Sequence, residues 1–225
     1  MKIAVIIFPG SNCDRDTKKA VTQTLGCPPI MHWHADVELP KVDCIILPGG
    51  FSYGDYLRSG AMAAHSPVMR EVVGQAKKGI LVVGICNGFQ ILTEVGLLPG
   101  VLMRNKNLKF VCRKVWLSIE TTKNIFTSRY REGELICIPI AHHDGNYFAD
   151  EYNLKMLQDN DQIVLRYVDS LGRRGRDTNP NGSVDDIAGI LNKGKNVLGM
   201  MPHPERAVDE AIGGISGRRF FESMI

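Results

Sequence analysis

The 225-residue chain contains no apolar run near the roughly 20 residues a membrane-spanning helix requires, so no membrane role is expected. Its six cysteines, at 13, 27, 44, 86, 112 and 137, never approach closer than fourteen residues. Without a C-x-x-C there is neither a zinc knuckle nor a thioredoxin-type pair, and no metal site is expected. Neither G-x-x-x-x-G-K-[ST] nor G-x-G-x-x-G occurs, so the chain is expected to carry no phosphate-binding loop and no bound cofactor. A net charge of +3 is too small to argue for nucleic acid or an anionic surface. The start, Met1-Lys2-Ile3, is already strand-like and lacks the basic, apolar and small-residue layout of a signal peptide. Cys44 and Cys137 stand in apolar runs and Cys112 beside one, and all three are expected as buried free thiols. A thiol-rich chain of this kind reads as cytoplasmic.

What the chain does have is alternation. Hydrophobic residues make up 44% and charged residues 23%, ordinary for a soluble globular domain. Lys2 to Phe8 is a continuous apolar run, the pattern of a strand buried on both faces. Asp14 to Leu25 follows as a helix closed by Gly26, then short strands over 30–34 and 42–47. A helix over 66–78 leads to a fourth strand over 79–85. Strands alternating with helices imply a parallel sheet covered on both faces. The second half reads as strands over 110–119, 135–140, 163–168, 187–191 and 197–201, with helices over 149–158 and 215–225. The expected fold is α/β, with a mostly parallel central sheet flanked by helices and antiparallel strands added in the C-terminal half. One domain over 1–225 accommodates all of it. The polar, basic segment Arg173 to Gly182 is the most loop-like.

The chemistry centres on Gly84-Ile85-Cys86-Asn87-Gly88-Phe89-Gln90. A strand turning sharply into a helix, with a nucleophile at the turn and glycines two residues either side, is a nucleophile elbow. The glycines are required because side chains there would strike neighbouring backbone. Cys86 then sits above the sheet edge at the positive end of a helix, a position that favours thiolate. A cysteine nucleophile needs a base and a group to orient it. Of six histidines, His203 in Met201-Pro202-His203-Pro204-Glu205 follows a strand end, as Cys86 does. An extended chain held by the two prolines places Glu205 beside it. On this tripeptide alone, a surface histidine in a rigid turn fits equally well. Pro48-Gly49-Gly50 ends another strand and exposes N–H groups suited to an oxyanion hole, partnered by the N–H of Asn87. Alone it would read as an ordinary turn. His142-His143-Asp144 follows a further strand end and can reach the same pocket. His32 and His34 share a strand face at a surface or core margin.

Taken together, these segments resemble the class I (triad) glutamine amidotransferases, whose glutaminase domain has a flavodoxin-like fold. Phe8 to Asp14, Gly49 to Tyr56, Ile138 to Gly145, Asn179 to Ser183 and Met201 to Arg206 resemble one branch of it. That branch is the separate glutaminase subunits of phosphoribosylformylglycinamidine synthases. The resemblance implies a triad of Cys86, His203 and Glu205, an oxyanion hole of Gly50 and Asn87, and glutamine contacts from Gly49, Phe51, Gln90, His143 and Asp144. It implies L-glutamine as substrate, and ammonia handed to a large synthetase subunit that binds ATP and Mg²⁺, with a small bridging subunit between them. The loop from Arg173 to Arg176 is either a docking element for that partner or a solvated loop. His143 stands where many relatives carry glycine, which alters the rim of the pocket. The other classes open to the sequence are a stand-alone cysteine hydrolase or chaperone of the related elbow-cysteine family, and a non-catalytic subunit.

Overall fold

The computed structural model describes residues 1–175 and 177–225. Apolar runs of the first half become inner strands. β1 (Ile3–Ile7), β3 (Cys44–Leu47) and β4 (Leu81–Ile85) are buried along almost their whole length, whereas β2 (Ile30–Trp33) is a partly exposed edge. Between them run α1 (Asp14–Leu25), α2 (Ala61–Ala64) and α3 (Pro67–Lys77), and α4 (Asn87–Glu94) follows β4. The stop of α1 is chemical: Gly26 takes the left-handed conformation at φ +72° and its N–H closes the last turn on Thr22 O. Proline opens α3 at its first turn, where no N–H is missed.

The second half supplies β5 (Val101–Met103), β6 (Val111–Ile119), β7 (Leu135–His142), β8 (Asn146–Phe148), α5 (Glu151–Asp159), β9 (Ile163–Val168), β10 (Ile187–Leu191), β11 (Val197–Met200) and α6 (Arg218–Ser223). Nine strands form one sheet in the order β2-β1-β3-β4-β11-β10-β9-β6-β7, while β5 and β8 pair separately. The five strands from β2 to β11 are mutually parallel, and every neighbour beyond β11 is antiparallel. The carboxyl ends of β1, β3, β4 and β11 therefore lie along one edge, where open α/β sheets place their sites. Alternation brings the carboxyl end of β7 to that edge as well. Although β7 is last in the order, its Pro139 O accepts the His203 N–H at 2.9 Å. The antiparallel end of the sheet thus curls back over the parallel edge, as strand twist favours.

Several expectations need correction. Cys112 is exposed and Cys137 only half-buried, because β6 alternates and Cys112 shares the outward face with Lys114 and Trp116. Only 218–223 of the terminal segment is helical. The residues before it run as irregular chain against the turn after β11: a Cβ on Gly213 would meet Arg206 O at 2.0 Å, and one on Gly217 would meet Pro204 O at 2.2 Å. The short β5, β8 and α2 escaped the pattern because three or four residues carry too little periodicity. No helix is long and apolar enough to cross a membrane among the described residues.

Candidate active site

The elbow is built by close packing. A Cβ on Gly88 would lie 2.0 Å from Leu47 O, and one on Gly84 would lie 2.6 Å from the Gly88 backbone. With both glycines, α4 drops directly onto β3 and β4, and the whole bend is concentrated at Cys86. That residue adopts φ 52°, ψ −105°, a strained conformation for a side chain with a Cβ. Its N–H is tied to Met200 O at 2.7 Å, so the flanking strand β11 holds the strain. The thiol is buried and faces Ala141 O on β7 at 3.6 Å.

His203 follows β11, adjacent to β4 in the sheet, so both side chains meet at one edge. The expected extended chain does not continue past it. Pro204–Arg206 is a 3₁₀ turn, which curls the carboxylate back onto the ring. His203 Nδ1 donates to Glu205 Oε1 at 2.5 Å, and both residues are 1% exposed. Glu205 Oε2 and His203 Nε2 have no hydrogen-bond partner among the described residues. Burial opposes charging the imidazole, but the Glu205 carboxylate and the Cys86 sulfur outweigh it and hold His203 well above the usual histidine range. His142 also reaches the pocket and behaves oppositely. Burial, with His203 nearby, pushes it down to about 4. Asn105 Nδ2 is spent on two carbonyls, so its Oδ1 accepts from His142 Nδ1 at 3.1 Å and fixes that tautomer. One histidine is thereby set for proton transfer and the other for structure.

The turn after β3 faces this pair. A Cβ on Gly49 would sit 2.7 Å from His203 Cε1 and 3.4 Å from Cys86 Cβ, so only glycine leaves room. Gly49 O accepts the Cys13 N–H at 3.2 Å. In a trans peptide this turns the Gly50 N–H the other way. No backbone acceptor takes the Gly50 N–H among the described residues, and the Asn87 N–H opens a helix, where intrahelical acceptors are lacking. Phe51 differs: its N–H is spent on Gly10 O at 3.1 Å and its ring packs near Phe110 at the rim.

A polar cluster lies beside the elbow. The Asn87 side chain accepts from Ser52 N at 3.2 Å and donates to Gln90 Oε1 at 2.9 Å. Gln90 Nε2 in turn donates to Asp144 O at 2.6 Å, so Gln90 ties α4 to the loop after β7. Asp144 is held by Ser59 Oγ at 2.7 Å, with His143 Nδ1 at 3.4 Å and Arg104 Nε at 3.5 Å. Half-buried Asp55 joins this cluster through Asn87 Nδ2 at 3.4 Å. Burial pushes its carboxyl up to about 6, and the nearby Asp144 charge adds to this.

Cys86, His203, Glu205, Gly49, Gly50, Asn87, Gln90, His143 and Asp144 therefore converge, and Phe51 stands at the margin. Sequence reasoning gave no role to Asp55, Ser59, Cys13 or Asn105, although Cys13 and Asp55 lie in the Phe8–Asp14 and Gly49–Tyr56 segments. Cys13 carried a further signal, since it follows the strand end of β1. It also missed the role of Asn181, whose Nδ2 donates to Gly145 O at 2.7 Å and so clamps the loop bearing Asp144, and of Ser183, whose hydroxyl donates to Asn181 Oδ1 at 2.7 Å and lies 3.2 Å from Gly145 O. Of the basic loop, Arg173 pairs with Asp169 and Arg174 with Asp185 and Asp186, while Arg176 lies outside the described residues. One cleft, across Lys2, Cys27, Pro29 and Lys41, lies at the opposite end of the parallel strands.

Residues 1–216 match the model of the CobB/CobQ-like glutamine amidotransferase domain. Phosphoribosylformylglycinamidine synthase subunit PurQ of Mesorhizobium japonicum is 54% identical over 225 residues, covering 100% of this chain and 98% of that protein. The subunit of the same name from Zymomonas mobilis is 55% identical over 226 residues, with the same coverage of each. Among solved structures, a chain of PurLQS from Thermotoga maritima superposes with a TM-score of 0.86 at 44% identity, covering 99% of this chain and 96% of that one. A second glutamine amidotransferase from Thermotoga maritima shares the fold alone, at 15% identity and a TM-score of 0.55, with 92% of this chain and 77% of that one covered. The chain belongs to the glutamine amidotransferases, in the family of phosphoribosylformylglycinamidine synthase subunit PurQ.

Proposed function

We propose that this chain is the glutaminase subunit of phosphoribosylformylglycinamidine synthase in purine biosynthesis, hydrolysing L-glutamine to glutamate and ammonia. The observation that carries this is the buried His203–Glu205 pair, bonded at 2.5 Å, on the same sheet edge as the strained Cys86. His203 Nε2 takes the Cys86 thiol proton while Nδ1–H stays on Glu205. The sulfur attacks the side-chain amide carbon of glutamine, and the carbonyl electron pair moves onto oxygen. The N–H groups of Gly50 and Asn87 hold that oxyanion, each worth ~2.7–4 kcal/mol in such sites. Collapse breaks the C–N bond, and His203 returns the proton to the leaving ammonia. Water then adds to the thioester, with His203 accepting its proton, and C–S cleavage releases glutamate and restores the thiol.

The polar cluster fits the amino-acid end of the substrate. Asp144 and Asp55 suit the α-ammonium, Arg104 and His143 the α-carboxylate, and Gln90 sets Asp144 in place. Gly49 and Phe51 form the opposite wall. Ammonia passes to a large synthetase subunit that uses ATP and Mg²⁺ to convert formylglycinamide ribonucleotide to formylglycinamidine ribonucleotide, with a small subunit bridging the two. The chain works as one domain over 1–225 in the cytoplasm. Cys86→Ala, assembled with the synthetase subunits, is expected to abolish glutamine-dependent synthesis and leave ammonia-dependent synthesis intact. Loss of both activities, or of neither, would overturn the assignment.

A further inference from the structure

One buried thiol takes no part in these steps. Cys13 caps α1 directly after the turn that ends β1, and it is 2% exposed. Its N–H donates to Gly49 O at 3.2 Å, the bond that fixes the Gly49–Gly50 peptide plane. Its Sγ, a ring nitrogen of His203 and a carboxylate oxygen of Glu205 all lie within 4.8 Å of one another. The empty Cβ position of Gly49 is 3.1 Å from that sulfur, so no side chain separates it from the ring. From the far side Arg206 Nη2 donates to the sulfur at 3.2 Å, and Arg206 Nε is anchored on Asp16 of α1 at 3.0 Å. One residue thus bonds the oxyanion turn and lies within 4.8 Å of both the base and the group that orients it.

We propose that Cys13 is a positioning residue of the glutaminase reaction, setting the His203–Glu205 pair through its thiol and the oxyanion turn through its backbone. The inference rests on the triad reading above. Competing roles fit less well. Burial pushes the Cys13 thiol up, so it stays protonated, donating to Asn12 Oδ1 at 3.3 Å, and is a poor nucleophile. A cation held by the three donors would meet the Arg206 guanidinium. The titratable groups around the His203 ring are Glu205 on its own turn, Cys86 after β4, His142 at the end of β7 and Cys13 after β1, with Arg206 beyond Cys13. The contact with Cys13 favours the charged ring, so its removal lowers the His203 titration midpoint.

The test compares Cys13→Ala and Cys13→Ser in the full chain assembled with its synthetase partner. Three quantities are measured: glutaminase kcat and KM, melting temperature, and the His203 imidazole midpoint by ¹⁵N NMR of the isolated variants. Cys13→Ala is expected to lower kcat about tenfold with KM within about twofold, as small misplacements of catalytic groups do. It is also expected to lower the His203 midpoint, and Cys13→Ser to restore most of both at an unchanged melting temperature. Wild-type kcat and midpoint in Cys13→Ala would overturn the proposal, as would a Ser variant as poor as Ala with an unchanged melting temperature. Should Cys13→Ala not fold, Arg206→Gln, which removes the donor on the Cys13 sulfur, takes its place, and wild-type kcat and His203 midpoint in that variant would overturn the proposal. A Cys86→Ala control that kept its glutaminase would instead sink the triad reading.

Discussion

The inner parallel strands and the outermost antiparallel pair differ in burial and in what they bring to the site. In the parallel half β3 is buried at every position and β4 at all but its first. In the antiparallel half β9 and β10 are equally buried, and only the outermost pair, β6 and β7, turns residues to solvent. Strands buried on both faces have no freedom to slip, so their carboxyl ends hold Cys86, the Gly49–Gly50 turn and His203 in fixed relation. The antiparallel half supplies His143 and Asp144 on a loop, held there by side-chain bonds from Gln90, Ser59 and Asn181. Reacting groups thus rest on the rigid half and the recognition loop hangs from the other. A fold built this way separates bond-making from substrate selection.

If that division is real, changes on the parallel edge act on kcat and changes in the loop after β7 act on KM. The largest effect is expected from Glu205→Gln, which keeps the volume but lets His203 adopt the wrong tautomer. By analogy with orienting carboxylates in other triads, kcat should fall about 10³–10⁴-fold with the melting temperature little changed. Steady-state glutaminase assays with thermal melts would check this. Gly88→Ala comes next, through folding. Its Cβ would sit 2.0 Å from Leu47 O, and overpacking of this kind costs about 1–3 kcal/mol or more, read as a lower denaturant midpoint. Wild-type stability there would mean that α4 can lift off β3.

On the other side of the division, Asp144→Asn is expected to raise KM for glutamine about tenfold through a lost charged contact, with kcat within about threefold. A variant that lost kcat at unchanged KM would erase the distinction between the halves. Asn181→Ala should act in the same sense but more weakly, raising KM about threefold, because the Ser183 hydroxyl, released from Asn181 Oδ1, is then free to donate to Gly145 O. The smallest effect concerns pH. The Asp55 carboxyl is raised from 3.8 to about 6, so the folded chain holds that proton more tightly than the unfolded one. Its contribution to stability is present below the ordinary value and lost as pH rises through about 6. Asp55→Asn should therefore raise the melting temperature at about pH 7.5 but not at about pH 4, as differential scanning calorimetry would show. An equal shift at both would assign the gain to the backbone, since Asn also suits the residue's positive φ.

Much of the parallel half was legible from local chemistry. The run from Ile3 to Ile7, the Gly26 stop of α1 and the glycines around Cys86 each encode structure within a few residues, where sterics and periodicity act. The antiparallel strands were legible as strands but not in their order. Nothing in Val197–Met200 says that it inserts beside β4, yet that pairing is what brings His203 to Cys86. The 3₁₀ turn at Pro204–Arg206 was also misread, because i and i+2 can face together in an extended chain or be curled together by a turn.

By itself the sequence determined the elbow, the strand ends on which reactive residues stand, and an α/β class, since these follow from backbone sterics and hydrophobic period. Only the tertiary structure decided which strand ends meet. It set β11 between β4 and β10, curled β7 back over the edge, and brought Cys13, Asp55 and Asn181 to a site far from each of them along the chain. The reason is physical. Local preferences act over a few residues, whereas strand order is chosen by burial of the whole sheet, and that energy belongs to no single segment.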